Sequence, residues 1–393
     1  MTKGFFSESE LIEEAPTSLI PKCGLCKMCE PKVMEKIKGV RGKVEKDGPL
    51  SPKMPYAGKG RKKILLVAEA PGADEDKSNT QYIGTASQLL AKLLHKAGLD
   101  MRRDCWMTNA IICRPYLNRK PTVNEIQYCR PNLLKTINEL EPRVVILMGA
   151  VPVQSLLGHL FKEKPGAISK WNGMMIPSQE TNTWIVPAYH PSYLMRVKND
   201  LLDREFIKII KRAAAKKIRP WHEQRFPDYE DKVDVVLDTK KAARILRQMI
   251  TKGGCVSWDI ETNMIKPDGN KANIHCASVC WMREKTIAFP WQGEVIPAMS
   301  ELLKSKLWKI GANMKFEDRW IRALLKHGIR NWLWDTVLAS HLIDNRKGGI
   351  CSVKFQAFTS FGFPLYNKHI EPFLKSKSKI IPNKIHQVEL NQL

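Results

Sequence analysis

The pair Cys23-Gly24-Leu25-Cys26 finds its complement far down the chain, at Cys113 and Cys129. Four thiolates drawn from two distant places read as one metal or iron-sulfur site, so the fold must close a long intervening segment back onto its start. Two residues between paired cysteines let both sulfurs turn towards one centre, and spacing alone admits zinc as readily as an iron-sulfur cluster. Cys29 extends the run as a second Cys-x-x-Cys and is an alternative to Cys23 as ligand. The isolated Cys105, Cys255, Cys276, Cys280 and Cys351 are expected to be small buried hydrophobes.

A chain of 393 residues is long enough for two domains, each burying its own core. The formal net charge of +24 points to a polyanionic partner, nucleic acid above all. Ten cysteines with no signal-peptide pattern fit a reducing, cytoplasmic compartment where thiols hold metals, and no apolar run is long enough to span a membrane.

The hydrophobic pattern divides the chain near residue 225. Upstream, Ile64 to Val67, Ala86 to Ala97, Trp106 to Ile112, Leu133 to Leu140, Val144 to Leu147 and Trp184 to Val186 alternate in the strand-helix rhythm of a parallel α/β sheet. This predicts a first domain over residues 1–205 and a basic linker over 206–232, carrying Lys208, Lys211, Arg212, Lys216, Lys217 and Arg219. A second α/β domain is expected over 233–393, with strands at Val233 to Leu237, Cys255 to Ile260 and Ile287 to Pro290 and a helix at Lys240 to Ile250. The basic segment Lys32 to Lys46 reads either as a phosphate-tracking element or as a solvated loop.

Several motifs lie on the first domain in a fixed order. They are the cysteine foursome, Glu69-Ala70-Pro71-Gly72 with Glu75-Asp76, Tyr82-Ile83-Gly84, Thr108-Asn109, Cys113-Arg114-Pro115 with Asn118-Arg119, and His190-Pro191-Ser192. Over roughly residues 20 to 200 this order resembles the iron-sulfur, family 4 uracil-DNA glycosylases. The resemblance implies a 4Fe-4S cluster on Cys23, Cys26, Cys113 and Cys129, uracil-containing DNA as partner, and hydrolysis of the N-glycosidic bond to leave an abasic site.

Such an enzyme flips a nucleotide out of the stack and needs a stacking wall, an edge reader, a donor to the departing base and a carboxylate near the sugar. Glu69 and His190 are the catalytic candidates: the carboxylate positions water or stabilises a cationic sugar, and the imidazole bonds the developing charge on the base oxygen. Asn109 offers both a donor and an acceptor to the uracil edge, Tyr82 a flat face for stacking, and Glu75 a second group in the pocket. Arg114, Asn118, Arg119 and Ser192 are candidate DNA contacts. Leu194 and Met195 read as a wedge into the base stack or, more simply, as packing of the helix that follows. The chain departs from the family's usual pattern at Ala68 for glycine, Gln81 for proline, Tyr82 for phenylalanine and Ser87 for glycine.

In the second domain, Asp259-Ile260-Glu261 places two carboxylates on one strand face, where they can hold a divalent metal such as Mg2+ or Mn2+. With Gly311 to Asp318 and Trp334-Asp335-Thr336 it resembles the RNase H-like 3'-5' proofreading exonuclease of family A DNA polymerases. The resemblance makes Glu317 or its neighbour Asp318 a further metal candidate. That family's last ligand lies in a Tyr-x-x-x-Asp motif, and no such motif occurs in the 393 residues. The expectation is an incomplete exonuclease domain on a fragment of a longer chain continuing into a polymerase, in a bacterial, archaeal or viral replication setting. Two rival functions are a noncatalytic uracil-DNA-binding module and a metal-dependent exonuclease.

Overall fold

A computed structural model describes residues 21–36, 41–162, 164–221, 232–283, 285–346, 349–365, 369–375 and 381–389. Its contacts divide the chain into two compact units, Met1–Glu223 with Phe358–Pro364, and Gln224–Ala357 with Leu365–Leu393.

In the first unit, β1 (Lys32–Glu35) and β2 (Val44–Asp47) pair antiparallel, so the basic segment is a two-stranded ribbon on either side of residues 37–40, which lie outside the described residues. The main sheet contains β3 (Ile64–Ala68), β4 (Cys105–Asn109), β5 (Val144–Met148), β6 (Ile176–Pro177) and β7 (Trp184–Ala188), in the order β4-β3-β5-β7-β6. All adjacent pairs are parallel except β6 with β7. Ile64, Leu65, Leu66 and Val67 are all fully buried, which explains a continuous apolar run where a half-exposed strand would alternate.

Ile64 and Leu66 share one core with Leu90, Leu93 and Leu94 of the helix Thr85–Lys96. Phe206, Ile209, Ile210 and Ala213 of the helix Asp200–Ala214 complete it, so the stretch expected to open the linker is a core helix as far as Ala214. Its Lys208, Lys211 and Arg212 occupy the remaining helix face, the pattern of an amphipathic helix. Truncating Leu66 to alanine is expected to cost about 2–5 kcal/mol by opening a cavity in this layer. Residues 222–231, the polar end of the expected linker, lie outside the described residues.

The second unit holds a six-stranded mixed sheet of β8 (Val233–Val235), β9 (Cys255–Thr262), β10 (Ile274–Trp281), β11 (Lys285–Pro290), β12 (Trp308–Gly311) and β13 (Trp332–Asp335). The order is β13-β12-β9-β10-β11-β8, with β10 antiparallel to both of its neighbours, β9 and β11. The strands expected at Val233, Cys255 and Ile287 and the helix Thr239–Lys252 are present. β10 was not expected: its Cys276, Ala277, Ser278 and Cys280 are small residues without a clear two-residue alternation, and pairing on both sides supplies what the pattern lacks.

Candidate active site

Four neighbouring parallel strands of the first sheet end on one edge. β3 pairs with β4 on one side and β5 on the other, the switch point where α/β sheets open a crevice beyond their strand C-termini. Glu69 follows β3, Asn109 closes β4, Gly149 follows β5, and His190 stands just after β7. Two backbone bonds stitch the first two ends together: Ala110 N–H donates to Ala68 O at 2.9 Å and Ile111 N–H to Glu69 O at 3.0 Å. Glu69 is half-buried, and burial raises its pKa above the usual carboxylate value, partly opposed by the Lys120 ammonium.

His190 caps the helix Pro191–Val197, its Nδ1 accepting the Ser192 N–H at 3.1 Å with Ser192 Oγ at 2.7 Å. Because Nδ1 accepts, a neutral ring carries its proton on Nε2, free to donate. Burial and the Arg196 charge push the His190 pKa down to about 4, so the ring is neutral near neutral pH. Gly149 makes room for it: at φ +96° it holds a left-handed conformation, and a Cβ there would stand 3.1 Å from the His190 Cβ.

Asn109 is 3% exposed and its Nδ2 donates to Gln81 Oε1 at 2.8 Å. Tyr82 lies beside this pair at φ +58°, its buried hydroxyl donating to Thr108 O at 2.8 Å and Leu66 O at 3.2 Å. Glu75, expected in the base pocket, spends Oε1 on the N–H groups of Ile83 (3.1 Å) and Gly84 (2.8 Å), so it shapes the turn that carries Tyr82.

The candidate DNA contacts Arg114, Asn118 and Arg119 are already partnered. Arg114 Nε donates to Asn118 Oδ1 at 2.8 Å and its Nη1 lies 3.7 Å from Asp76 Oδ2, while Arg119 bonds both Glu125 oxygens at 2.6 and 2.9 Å. Leu194 is buried in the core, which is the packing reading, and Met195 is exposed.

The structure brings the cysteines into electrostatic interaction with one another. Lys22 N–H donates to Tyr128 O at 3.1 Å, docking the single turn Cys23–Cys26 onto the helix Val123–Leu140 beside Cys129. Lys53 N–H donates to Cys113 Sγ at 3.2 Å and Asn132 Nδ2 to Cys129 Sγ at 3.5 Å. Cys113 interacts electrostatically with Cys129, Cys29 and Cys26, and Cys23 hydrogen-bonds Cys29. Burial first, then these neighbouring sulfurs, pushes Cys113 to about 12 and Cys26 to about 11. Among the described residues no three such side chains converge tightly enough to hold a single metal ion. Of the other five cysteines, Cys105 and Cys276 are buried, whereas Cys255, Cys280 and Cys351 are only partly so.

In the second unit Asp259 and Glu261 extend from β9, and Glu317, in the first turn of the helix Met314–Leu325, hydrogen-bonds Asp259. Burial and the neighbouring carboxylates push Glu317 to about 8, and burial with Asp259 pushes Glu261 to about 7. Glu317 Oε2 is buried with no hydrogen-bond partner. Asp318 points elsewhere, to Arg322 Nε at 2.6 Å and Ile329 N–H at 2.9 Å, which separates the two neighbours. Asp335, which sequence reasoning had not placed in this group, reaches Glu317 electrostatically while accepting N–H bonds from Asn313, Met314, Val337 and Leu338.

Comparison with known proteins places the first unit. Residues 55–214 match the uracil DNA glycosylase superfamily. The chain is 34% identical over 151 residues to the type-4 uracil-DNA glycosylase of Thermotoga maritima, a match spanning 38% of this chain and 76% of that protein. A longer match, 25% identical over 323 residues, is to a DNA polymerase of Bacillus phage SP01 and spans 74% of this chain but 34% of that protein. Escherichia coli RNase D aligns with 37% of this chain and 38% of its own at 7% identity and a TM-score of 0.30, too low to support any argument. Through its first unit, which matches the Thermotoga maritima enzyme across three quarters of that protein's length, the chain belongs to the type-4 uracil-DNA glycosylase family.

Proposed function

We propose that the first domain flips deoxyuridine out of DNA and hydrolyses its N-glycosidic bond, leaving an abasic site. The observation that carries this reading is the placement of Glu69, Asn109 and His190 at the same ends of parallel strands of one sheet, β3 and β4 side by side and β7 beyond β5. Asn109 reads the uracil edge, and Tyr82 presents its ring as the stacking wall, a contact worth about 1–3 kcal/mol per base. As the bond breaks, charge gathers on the base oxygen and meets the His190 Nε2–H. A neutral donor in a buried site needs no change of protonation at that moment. Glu69, ionised, stabilises the cationic sugar or orients the attacking water. Arg114, Asn118, Arg119 and Ser192 would line the path of the phosphates, with the net charge of +24 supplying long-range attraction.

The thiols of Cys23, Cys26, Cys113 and Cys129 fit a 4Fe-4S cluster. Cys113 interacts electrostatically with Cys26, Cys29 and Cys129, and N–H groups donate to the Cys113 and Cys129 sulfurs, the kind of hydrogen bond that cluster thiolates accept. Cys29, a free thiol beside that of Cys23, remains the alternative ligand. A bound cluster would supply a structural cross-link between the first turn of the domain and the helix Val123–Leu140.

The second domain is proposed to be RNase H-like and of the proofreading-exonuclease type, with Asp259, Glu261 and Glu317 offered to Mg2+ or Mn2+. The orphaned Glu317 Oε2 and its electrostatic coupling to Asp259 support that reading, and among the described residues the carboxylates do not stand in a ready-made metal-holding group. The match to the phage polymerase agrees with a replication setting and with a polymerase as partner. Among the described residues no helix is long and apolar enough to cross a membrane.

The test is incubation with labelled uracil-containing DNA followed by alkali. Strand cleavage by the wild-type chain, lost in Glu69→Ala and Asn109→Ala, establishes excision. DNA binding without cleavage, with the cluster's visible absorbance intact, replaces the enzyme by a binding module.

A further inference from the structure

Uracil and cytosine have the same shape and differ on their outer edge. Uracil offers a donor at N3 and an acceptor at O4, cytosine an acceptor at N3 and a donor at N4. A terminal amide can satisfy either, because rotating it by half a turn exchanges its oxygen and nitrogen. An asparagine that reads uracil selectively therefore has to be prevented from turning over.

We infer that Gln81 is the positioning residue that locks the Asn109 amide in its uracil-reading orientation, and so acts as a specificity determinant without touching the base. This inference rests on the base-reading role of Asn109 proposed above.

The lock is anchored at a group that leaves no choice. The Pro55 carbonyl only accepts, so the Gln81 side chain must turn its nitrogen towards it, and Gln81 Nε2 donates to Pro55 O at 2.9 Å. Gln81 Oε1 then faces Asn109, which must answer with its own nitrogen, and Nδ2 donates to it at 2.8 Å. What remains on Asn109 is one Nδ2–H and the Oδ1, the complement of uracil O4 and N3–H.

Both ends of the relay are fixed. The segment carrying Pro55 is paired with the neighbouring chain on each side, through Met54 N–H to Ile112 O at 2.9 Å and the reciprocal bonds of Ala57 and Met107 at 2.9 and 2.8 Å. Arg102 Nη2 holds the Gln81 and Tyr82 carbonyls at 2.8 and 3.1 Å. Gln81 is 2% and Asn109 3% exposed, so water does not stand ready to replace a broken bond.

Turning Asn109 over for cytosine would set Oδ1 against Gln81 Oε1. Turning Gln81 as well would set its oxygen against the Pro55 carbonyl. Each escape leaves buried acceptors facing one another, and the cost of an unsatisfied buried group corresponds to roughly ten- to hundredfold in discrimination. The relay does not discriminate against thymine, which shares the uracil edge.

The experiment measures inhibition of uracil excision by DNA carrying a single 2'-fluoro-deoxyuridine or 2'-fluoro-deoxycytidine, both resistant to bond cleavage, in the same sequence. The readout is the ratio of the two inhibition constants for the wild-type chain, Gln81→Met and Asn109→Ala, each checked for cluster absorbance and cooperative melting. Gln81→Leu takes the place of Gln81→Met if the latter does not purify folded. The expected result is a ratio favouring uracil in the wild type that falls roughly ten- to hundredfold in Gln81→Met. An unchanged ratio in Gln81→Met alongside a collapsed ratio in Asn109→Ala overturns the lock and leaves the base reader standing. An unchanged ratio in Asn109→Ala overturns the base-reading role itself, and the lock with it.

Discussion

Each of the two sheets collects polar side chains along one strand edge or face, but they treat those side chains in opposite ways. Around β3, β4 and β7 several polar groups have a protein partner: His190 Nδ1 has the Ser192 N–H, Asn109 Nδ2 has Gln81, and Glu75 has two backbone amides. What is left over is a small set of oriented donors and acceptors. Around β9 the carboxylates face one another, Glu317 Oε2 has no partner, and Lys354 is the cation that offsets Asp259 and Glu261. The first arrangement sets oriented hydrogen-bonding groups beside strand ends that also carry one half-buried carboxylate, Glu69. In the second, burial and neighbouring carboxylates push Glu261 and Glu317 towards their protonated forms.

The largest effect that would break this contrast belongs to the first site. Glu69→Gln should lower the rate of excision by about 10²–10⁴-fold in single-turnover assays with little change in DNA affinity, since it removes a charge needed only as the bond breaks. His190→Asn should cost on the order of 10²–10³-fold, the range for loss of one preorganised donor.

The pH profile sharpens the assignment. Glu69 titrates above the ordinary carboxylate value and His190 at about 4, so on acidification Glu69 is protonated first. The acid limb of kcat/KM should keep its midpoint in His190→Asn. A midpoint that moves in that variant assigns the limb to the histidine.

A smaller effect is expected in the second domain. Folded carboxyls raised to about 7 and about 8 favour the protonated form, so metal-free stability is held at low pH and lost as pH rises through those values. Mn2+ should therefore raise the melting temperature of the second domain more above pH 8 than well below both values. At a hundredfold excess over Kd the gain is about 2.7 kcal/mol, and it should vanish in Asp259→Asn. Equal shifts at both pH values would mean the ion binds elsewhere.

Smallest is Tyr82→Phe. Losing the hydroxyl bonds to Thr108 O and Leu66 O should cost about 1 kcal/mol in denaturant melts while excision stays close to wild type, because the stacking ring is kept. A large loss of rate with unchanged stability would give the hydroxyl a direct part in the chemistry.

Much of this architecture was legible in the chain because it is written locally. Ile64 to Val67 and Val144 to Leu147 are continuous apolar runs that a doubly covered parallel sheet buries, and Glu69, Asn109 and His190 fall at or just beyond strand ends, where such sheets bind ligands. What was not legible depends on partners distant in sequence. The Gln81–Asn109 bond joins residues in separate segments, and Gln81 stood out only as a departure from proline. Glu317 and Asp318 are chemically alike neighbours, and only the phase of their helix against β9 turns one to Asp259 and the other to Arg322. Glu75 looked like a pocket carboxylate because its sequence context does not reveal that the amides of Ile83 and Gly84 fold back onto it.

The most direct measurement is the time course of alkali-labile sites in end-labelled uracil DNA, in EDTA, with wild-type, Glu69→Gln and Asp259→Asn chains side by side. Base release that persists in chelator, is unaffected by Asp259→Asn and is lost in Glu69→Gln is the predicted result. Release that requires Mg2+ or Mn2+ and disappears with Asp259→Asn would contradict it and transfer the chemistry to the second sheet.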